Sequence, residues 1–366
     1  MAKFMCPFCL NKYNIGEVQY VCPSCQSVSK PGMFKKEPVK CKGSNTCGGY
    51  ATLRKCPKCA NEIPKTALET KSLPFSIIGV AASGKTNYIT VMLHELGRSS
   101  GLRLALSAQN KETSEHQNEN YKSIYEEARL PEGTAQGIYT PQIWCVKNLS
   151  KRKGDTVPTY TFTIFDGAGE EIENMDTTAV IGNYIEASES IILVLDPLLL
   201  ENVRKGNFVS DEVKINSLAG KESEYKNATD VVNRVADFIK NRRGIKSGKK
   251  LDIPVAVVLS KFDIVLEHPS FADNATVKLP TPSIESGNIN LTAIREADQE
   301  IRGWLEDILE HDFIDAVDSH FSEFYFFGVS SFGNPPIDAY TLNNNISPHR
   351  VLDPILWLFK KADFVD

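Results

Sequence analysis

The feature that most limits what this chain can fold into is an eight-residue stretch, Gly79-Val80-Ala81-Ala82-Ser83-Gly84-Lys85-Thr86, which fits Gly-x4-Gly-Lys-[Ser/Thr]. Such a loop works only between a buried strand and a helix. Its glycines let the backbone wrap an anion. Successive N–H groups and the N-terminus of the following helix then point at that anion, and the lysine adds charge. The flanks comply, because residues 74–78 are apolar and residues 87–96 carry a helical pattern. A unit of this kind belongs in a mostly parallel sheet covered by helices on both faces.

The sequence from Leu73 onward supports that architecture, since apolar runs alternate with amphipathic stretches. The pattern predicts strands at 74–79, 142–149, 159–165, 190–196, 253–260 and 323–329. It predicts helices at 85–97, 118–129, 228–243, 291–310 and 348–362. Pro354 lies early in the last of these, so that helix is expected to begin near Leu352 with Asp353 as its cap. Residues 198–227 and 266–290 read as long polar surface insertions. Cys145, inside a predicted strand, reads as a small core residue. No apolar run reaches the roughly eighteen residues that cross a bilayer. The opening Met1-Ala2-Lys3-Phe4 has neither a signal-peptide pattern nor a myristoylation glycine, and Phe364-Val365-Asp366 has no prenylation cysteine. The expectation is a cytoplasmic protein with no membrane partner.

The first part of the chain is different in kind. Eight of its nine cysteines lie between Cys6 and Cys59. Their tight pairs have metal-ligand spacing rather than the look of a disulfide framework. Cys6-Pro7-Phe8-Cys9 is followed after twelve residues by Cys22-Pro23-Ser24-Cys25. Cys41 and Cys47, with five residues between them, are followed after eight by Cys56-Pro57-Lys58-Cys59. Each set of four is complete in itself, so the spacing predicts two sequential zinc ribbons, about 1–30 and 38–64. A polar linker is expected at 65–72, and a nucleotide domain at 73–366. Four thiolates leave no open coordination position, so each zinc is expected to supply folding energy rather than catalysis.

Charge is divided along the same line. Residues 1–72 hold 12 Lys/Arg and 4 Asp/Glu, a formal balance of +8, and the remainder stands at −13. Two zinc–tetrathiolate sites, each about −2, lower the first figure to about +4. Phe4, Phe8, Tyr13, Tyr20, Phe34 and Tyr50 sit among the lysines. They fit either a mini-core or a surface that stacks nucleic-acid bases. Docking of a protein partner is the expected role, with nucleic acid the second candidate.

Three further motifs follow the loop. In Phe162-Thr163-Ile164-Phe165-Asp166-Gly167-Ala168-Gly169-Glu170 an apolar strand delivers an aspartate at its carboxyl end, where open α/β sheets bind ligands. Val257-Val258-Leu259-Ser260-Lys261-Phe262-Asp263 ends a second strand, and Val329-Ser330-Ser331 a third. In this order the motifs resemble those of the Ras-like and translation-factor GTPases. The likeness covers most of residues 73–366, with long insertions.

The resemblance implies a P-loop NTPase three-layer α/β sandwich, a G domain, with one antiparallel strand at 142–149. GTP or GDP would lie on Gly79, Ala82, Ser83, Gly84, Lys85, Thr86 and Asn87, with Mg²⁺ held by Thr86, Asp166 and a switch threonine. Thr140 is the choice for that threonine and Thr134 the runner-up. Gly169 would bring its N–H to the γ-phosphate, and Lys85 would reach the β- and γ-phosphates. Ser260, Lys261 and Asp263 stand where the family has [Asn/Thr]-Lys-x-Asp, so Asp263 would accept from guanine N1 and N2. Ser260 departs from the pattern, which puts the choice of base in question. Ser330 and Ser331 would contact guanine O6.

Glu170 occupies a position where many members have a water-orienting glutamine, and Ala81 one that is often glycine. No arginine immediately precedes Thr140, so Arg129 or a partner would have to supply that charge. These departures imply slow intrinsic hydrolysis accelerated by a partner, with a switch formed around Thr140 and from Gly169 to Asp176. An ATP-hydrolysing enzyme, or a zinc-ribbon nucleic-acid adaptor with a regulatory nucleotide site, are the alternatives. Ribbons ahead of such a domain, with Leu352-Asp353-Pro354-Ile355-Leu356-Trp357-Leu358-Phe359 near the end, also resemble bacterial double-GTPase proteins of multi-component conflict systems.

Overall fold

The computed structural model describes residues 3–30, 39–43, 47–80, 82–99, 101–131, 141–151, 157–166, 179–207, 209–210, 227–279, 284–285, 288–338 and 340–365. A seven-stranded mixed sheet forms the centre. Its strands in chain order are β1 (Lys71–Ile78), β2 (Leu104–Ala108), β3 (Gln142–Asn148), β4 (Thr159–Asp166), β5 (Ser190–Leu195), β6 (Leu251–Leu259) and β7 (Phe321–Gly328). Their order across the sheet is β7-β6-β5-β1-β4-β3-β2. The five strands from β7 to β4 pair in parallel. β3 runs antiparallel to both of its neighbours, as expected for residues 142–149. Strand order reverses at β1, with β4 on one side and β5 on the other. The crevice beyond its carboxyl end is where such sheets bind ligands.

Burial on both faces explains the near-continuous apolar strands. In β5, Ile191, Leu193 and Leu195 join one core, and Ile192 and Val194 the other. Helices α3 (Ala179–Ala187), α4 (Ala228–Arg243) and α6 (His311–His320) lie on the first side. Helices α1 (Lys85–Arg98) and α7 (Asp353–Lys361) lie on the second. Helix α5 (Leu291–Asp307) contributes to both cores, through Ile294 on one side and Ala297, Ile301 and Trp304 on the other. Cys145 is fully buried, as expected.

Several expectations change. The helix foreseen at 118–129 is α2 (Lys111–Tyr121), continued by a π turn over Lys122–Glu126. Asn110 caps its start by accepting from Thr113 N, and the helix is so polar that periodicity could not place it. β2 was not foreseen, because five residues give little pattern. The helix foreseen at 291–310 stops early: Leu309 turns left-handed at φ 62°, and α6 follows as a separate element. Leu352, not Asp353, is the cap of α7, and Asp353 starts the helix beside Pro354.

The segment at 65–72 is not a linker. Lys65–Glu69 is helical with Ala67 buried, and β1 already begins at Lys71. Nor are the two insertions purely superficial. Leu198, Leu199, Leu200 and Val203 are buried from one, and Phe271, Ala275 and Val277 from the other. Among the described residues no helix is long and apolar enough to cross a membrane.

Candidate functional site

The cysteines pair differently from the sequence expectation. Cys6, Cys9, Cys56 and Cys59 converge on one point, and Cys22, Cys25, Cys41 and Cys47 on another. The arrangement is nested, with the outer pairs closing around an inner site. Two sequential ribbons are therefore incorrect. The reason lies in strand pairing, because Gln19–Val21 is sandwiched between Val28–Ser29 and Leu53–Lys55, joining the two halves in one sheet. That pairing carries the last knuckle back to the first.

The sulfur spacing tests the metal. Sγ–Sγ distances are 3.8 Å for Cys6–Cys59, 3.7 Å for Cys9–Cys56, 3.6 Å for Cys22–Cys47 and 3.3 Å for Cys25–Cys41. A disulfide would bring them to about 2.05 Å. A tetrahedron with Zn–S of about 2.3 Å has edges of about 3.8 Å. The four sulfurs of each group all lie within 4.8 Å of one another, which fits a closed structural zinc site. Phe4 and Tyr20 are buried in the module's own core and Tyr50 is exposed, whereas Phe34 lies outside the described residues. The aromatic residues thus serve chiefly as core.

At the phosphate loop, β1 ends at Ile78 and α1 begins at Lys85 with Gly84 as its cap. Gly84 has φ +80°, left-handed, and puts no side chain between the helix N-terminus and an approaching anion. At Gly79 a Cβ would lie 2.3 Å from the Val194 carbonyl oxygen and 2.7 Å from Ser83 Oγ, so only glycine fits. The Lys85 ammonium is folded onto the loop, donating to the carbonyls of Gly79 at 2.7 Å and Val80 at 3.3 Å. Ser83 Oγ is buried with no hydrogen-bond partner, a polar atom such a cradle leaves for a ligand. Thr86 and Asn87 are half-buried in the first turn. Asp166 ends β4 in register with Ile77, which brings its backbone beside the loop. Ala81, Thr134, Thr140, Gly169, Glu170 and Asp176 lie outside the described residues.

The second loop is tied directly to the first. Ser260 follows β6, its N–H donating to Leu195 O at 2.9 Å. Its hydroxyl reaches Ser83 O at 2.7 Å, with Leu195 O at 3.1 Å. Lys261 adopts φ +49°, and its ammonium lies 2.6 Å from Asp196 Oδ2. The Phe262 N–H donates to Val329 O, and Val329 N–H to Leu259 O, each at 2.9 Å, which joins this loop to the turn after β7. The Ser330 hydroxyl and the Asp263 N–H both favour the charged form of the Asp263 carboxyl. Burial nevertheless pushes its pKa above the usual carboxylate range. Ser330 Oγ in turn accepts from Gly333 N at 2.8 Å. Ser330 and His349 exchange backbone hydrogen bonds of 3.0 and 2.8 Å. His349 Nε2–H donates to Val277 O at 2.7 Å, and burial lowers its pKa.

Sequence reasoning missed two participants. Asp196 sits at the end of a buried strand, as Asp166 does, and that position was the signal. His349 carried none, because only the tertiary fold brings residue 349 beside Ser330.

No protein-family model matches the chain, and no curated protein does. Among solved structures, the Ski7 GTPase-like domain of S. cerevisiae, bound to GDP and inorganic phosphate, is similar at 15% identity. The match covers 72% of this chain and 43% of that one, with a TM-score of 0.30. Sup35 complexed with GDP matches at 11% identity over 76% of this chain and 41% of its own, with a TM-score of 0.27. The chain spans under half the length of either. Likeness at that level carries no correspondence between individual residues.

Proposed function

We propose that this chain binds GTP and GDP with Mg²⁺, hydrolyses GTP slowly, and acts as a switch on protein partners. One observation carries the reading. The Ser260 hydroxyl is bonded to the phosphate-loop carbonyl of Ser83, so the loop bearing Asp263 is fixed to the loop built for phosphate. A lone phosphate site needs no such tie, whereas a nucleotide site must hold its base pocket at a set distance from its anion pocket.

In this reading the first-turn N–H groups and Lys85 hold the phosphates, and Lys85 exchanges the Gly79 and Val80 carbonyls for phosphate oxygens. Thr86 and Asp166 hold Mg²⁺, which supplies charge stabilisation at the phosphates. Asp263, oriented by Ser330, accepts the two guanine N–H groups. The Ser330 N–H already serves His349, so the Ser331 N–H is the donor assigned to guanine O6. Thr140 and Gly169 take the switch positions, and Glu170 orients water. A glutamate there adds negative charge beside the γ-phosphate, consistent with slow turnover. The zinc module is the docking element for a partner, with its zinc ions structural.

Titration of the purified chain with GDP and ADP in the presence of Mg²⁺ tests the base. Tight GDP binding with weak ADP binding is expected, and equal affinities or an adenine preference would sink the reading. Rapid single-turnover GTP cleavage by the isolated chain would remove the need for a partner.

A further inference from the structure

Resting on that guanine reading, we propose that Asp196 is a positioning residue that sets base selectivity: its carboxylate holds the Lys261 ammonium and keeps it off Asp263. Asp196 immediately follows β5 and is itself fixed, because its Oδ1 accepts from Leu198 N at 2.9 Å. Its other oxygen, Oδ2, meets Lys261 Nζ at 2.6 Å. The Asp196 side chain is 10% exposed and that of Lys261 30%, so water competes only partly for the pair.

Two consequences follow. Lys261 occupies a left-handed backbone conformation that a residue with a side chain keeps only when its surroundings over-determine it. The backbone bonds of Ser260 to Leu195 and of Phe262 to Val329 hold the residues on either side. The ion pair fixes Lys261 itself, which sets the turn that Asp263 continues. In addition, Lys261, two residues before Asp263, and His349, from the segment packed behind, both favour the charged form of Asp263. An unanchored ammonium would pair with the Asp263 carboxylate and compete for the acceptor that the two guanine N–H groups need. Anchored on Asp196, the lysine spends its charge elsewhere and leaves its four-carbon stem spanning the ends of β5 and β6.

The test uses the full chain with Mg²⁺ and fluorescent derivatives of GDP and ADP as probes. Asp196→Asn keeps an oxygen for Leu198 N and removes the charge. GDP affinity is expected to fall about tenfold, the scale of one charge-assisted contact, with ADP affinity unchanged. Asp196→Glu, which retains the charge, restores most of the preference. In a Lys261→Met background, Asp196→Asn has no further effect. The proposal is overturned if Asp196→Asn keeps the GDP-to-ADP ratio of the parent, lowers both affinities alike, or still acts without Lys261. If Asp196→Asn does not fold, the decision passes to the other two variants: Asp196→Glu must keep the preference, and so must Lys261→Met, which has no ammonium to reach Asp263; loss of the preference in either overturns the proposal. A parent protein without GDP preference overturns the guanine reading itself, whereas a selective parent with a selective Asp196→Asn variant overturns only the role of Asp196.

Discussion

In the zinc module, Cys6 meets Cys59 across 53 residues of chain, and the buried core around them is small, with Phe4, Val18, Tyr20, Val39 and Ile63 among its members. In the α/β domain, two large apolar clusters cover the two faces of a seven-stranded sheet. A short segment cannot bury enough apolar surface to offset its conformational entropy, and two four-cysteine groups able to hold a metal stand where a larger core would be needed. A longer chain can rely on packing alone. The two regions are nonetheless continuous. Met5 and Leu10, which bracket the first knuckle, belong to a core of the larger domain. The Tyr184 hydroxyl of α3 donates to the Phe8 carbonyl of the same knuckle, with the Pro7 carbonyl at 3.3 Å. A module built around two four-cysteine groups thus rests on a domain held by packing, at the helix that follows the Asp166 segment.

The sharpest way to break this contrast is to count metal. Cys41→Ala and Cys56→Ala should each release one zinc, and the double variant both, because the nested pairing puts them in different sites. Sequential pairing would have both substitutions empty the same site, leaving one zinc in the double variant. Each lost site removes binding energy on the order of 10 kcal/mol from the module, which should unfold, as read by metal analysis and proteolysis.

A change at Gly79 probes packing without metal. Gly79→Ala sets a methyl 2.3 Å from the Val194 carbonyl, so the strand ends must part. A loss of about 2–3 kcal/mol in urea unfolding is expected, together with the loss of nucleotide binding and with zinc content unchanged. Retained GDP affinity would show that the loop tolerates what its geometry excludes.

A buried carboxylate gives the next smaller effect. Asp298 accepts from the Phe326 N–H at 2.7 Å, and burial raises its pKa to about 6. The folded state therefore binds its proton more tightly than the unfolded chain. Stability should fall as pH rises from about 4 to 6 and stay reduced above that. Asp298→Asn should flatten this slope and stabilise the protein at pH 7 by about 1–3 kcal/mol. An unchanged urea midpoint between pH 4 and 7 in the parent would contradict this.

The smallest effect concerns the joint between the regions. Tyr184→Phe should cost about 1 kcal/mol, one hydrogen bond, and raise amide exchange in the first knuckle while leaving the central sheet protected. Equal exchange in parent and variant would mean that the contact does not couple the two.

Much of this molecule follows from local chemistry. The phosphate loop, its strand and its helix were legible because glycine, lysine and apolar periodicity each answer to a short-range demand. All eight cysteines of the two metal-compatible groups were recognisable from spacing alone. Helix 228–243 needed only its Asn cap and its final Gly244. Which thiolates share a metal was not legible, since strand pairing across the module decides it and distance along the chain does not. The polar helix after Asn110, the unforeseen edge strand β2, the ion pair of Asp196 with Lys261 and the support of Ser330 by His349 were equally hidden. Each depends on groups far apart in sequence meeting where the sheet ends, and only burial and register bring them there.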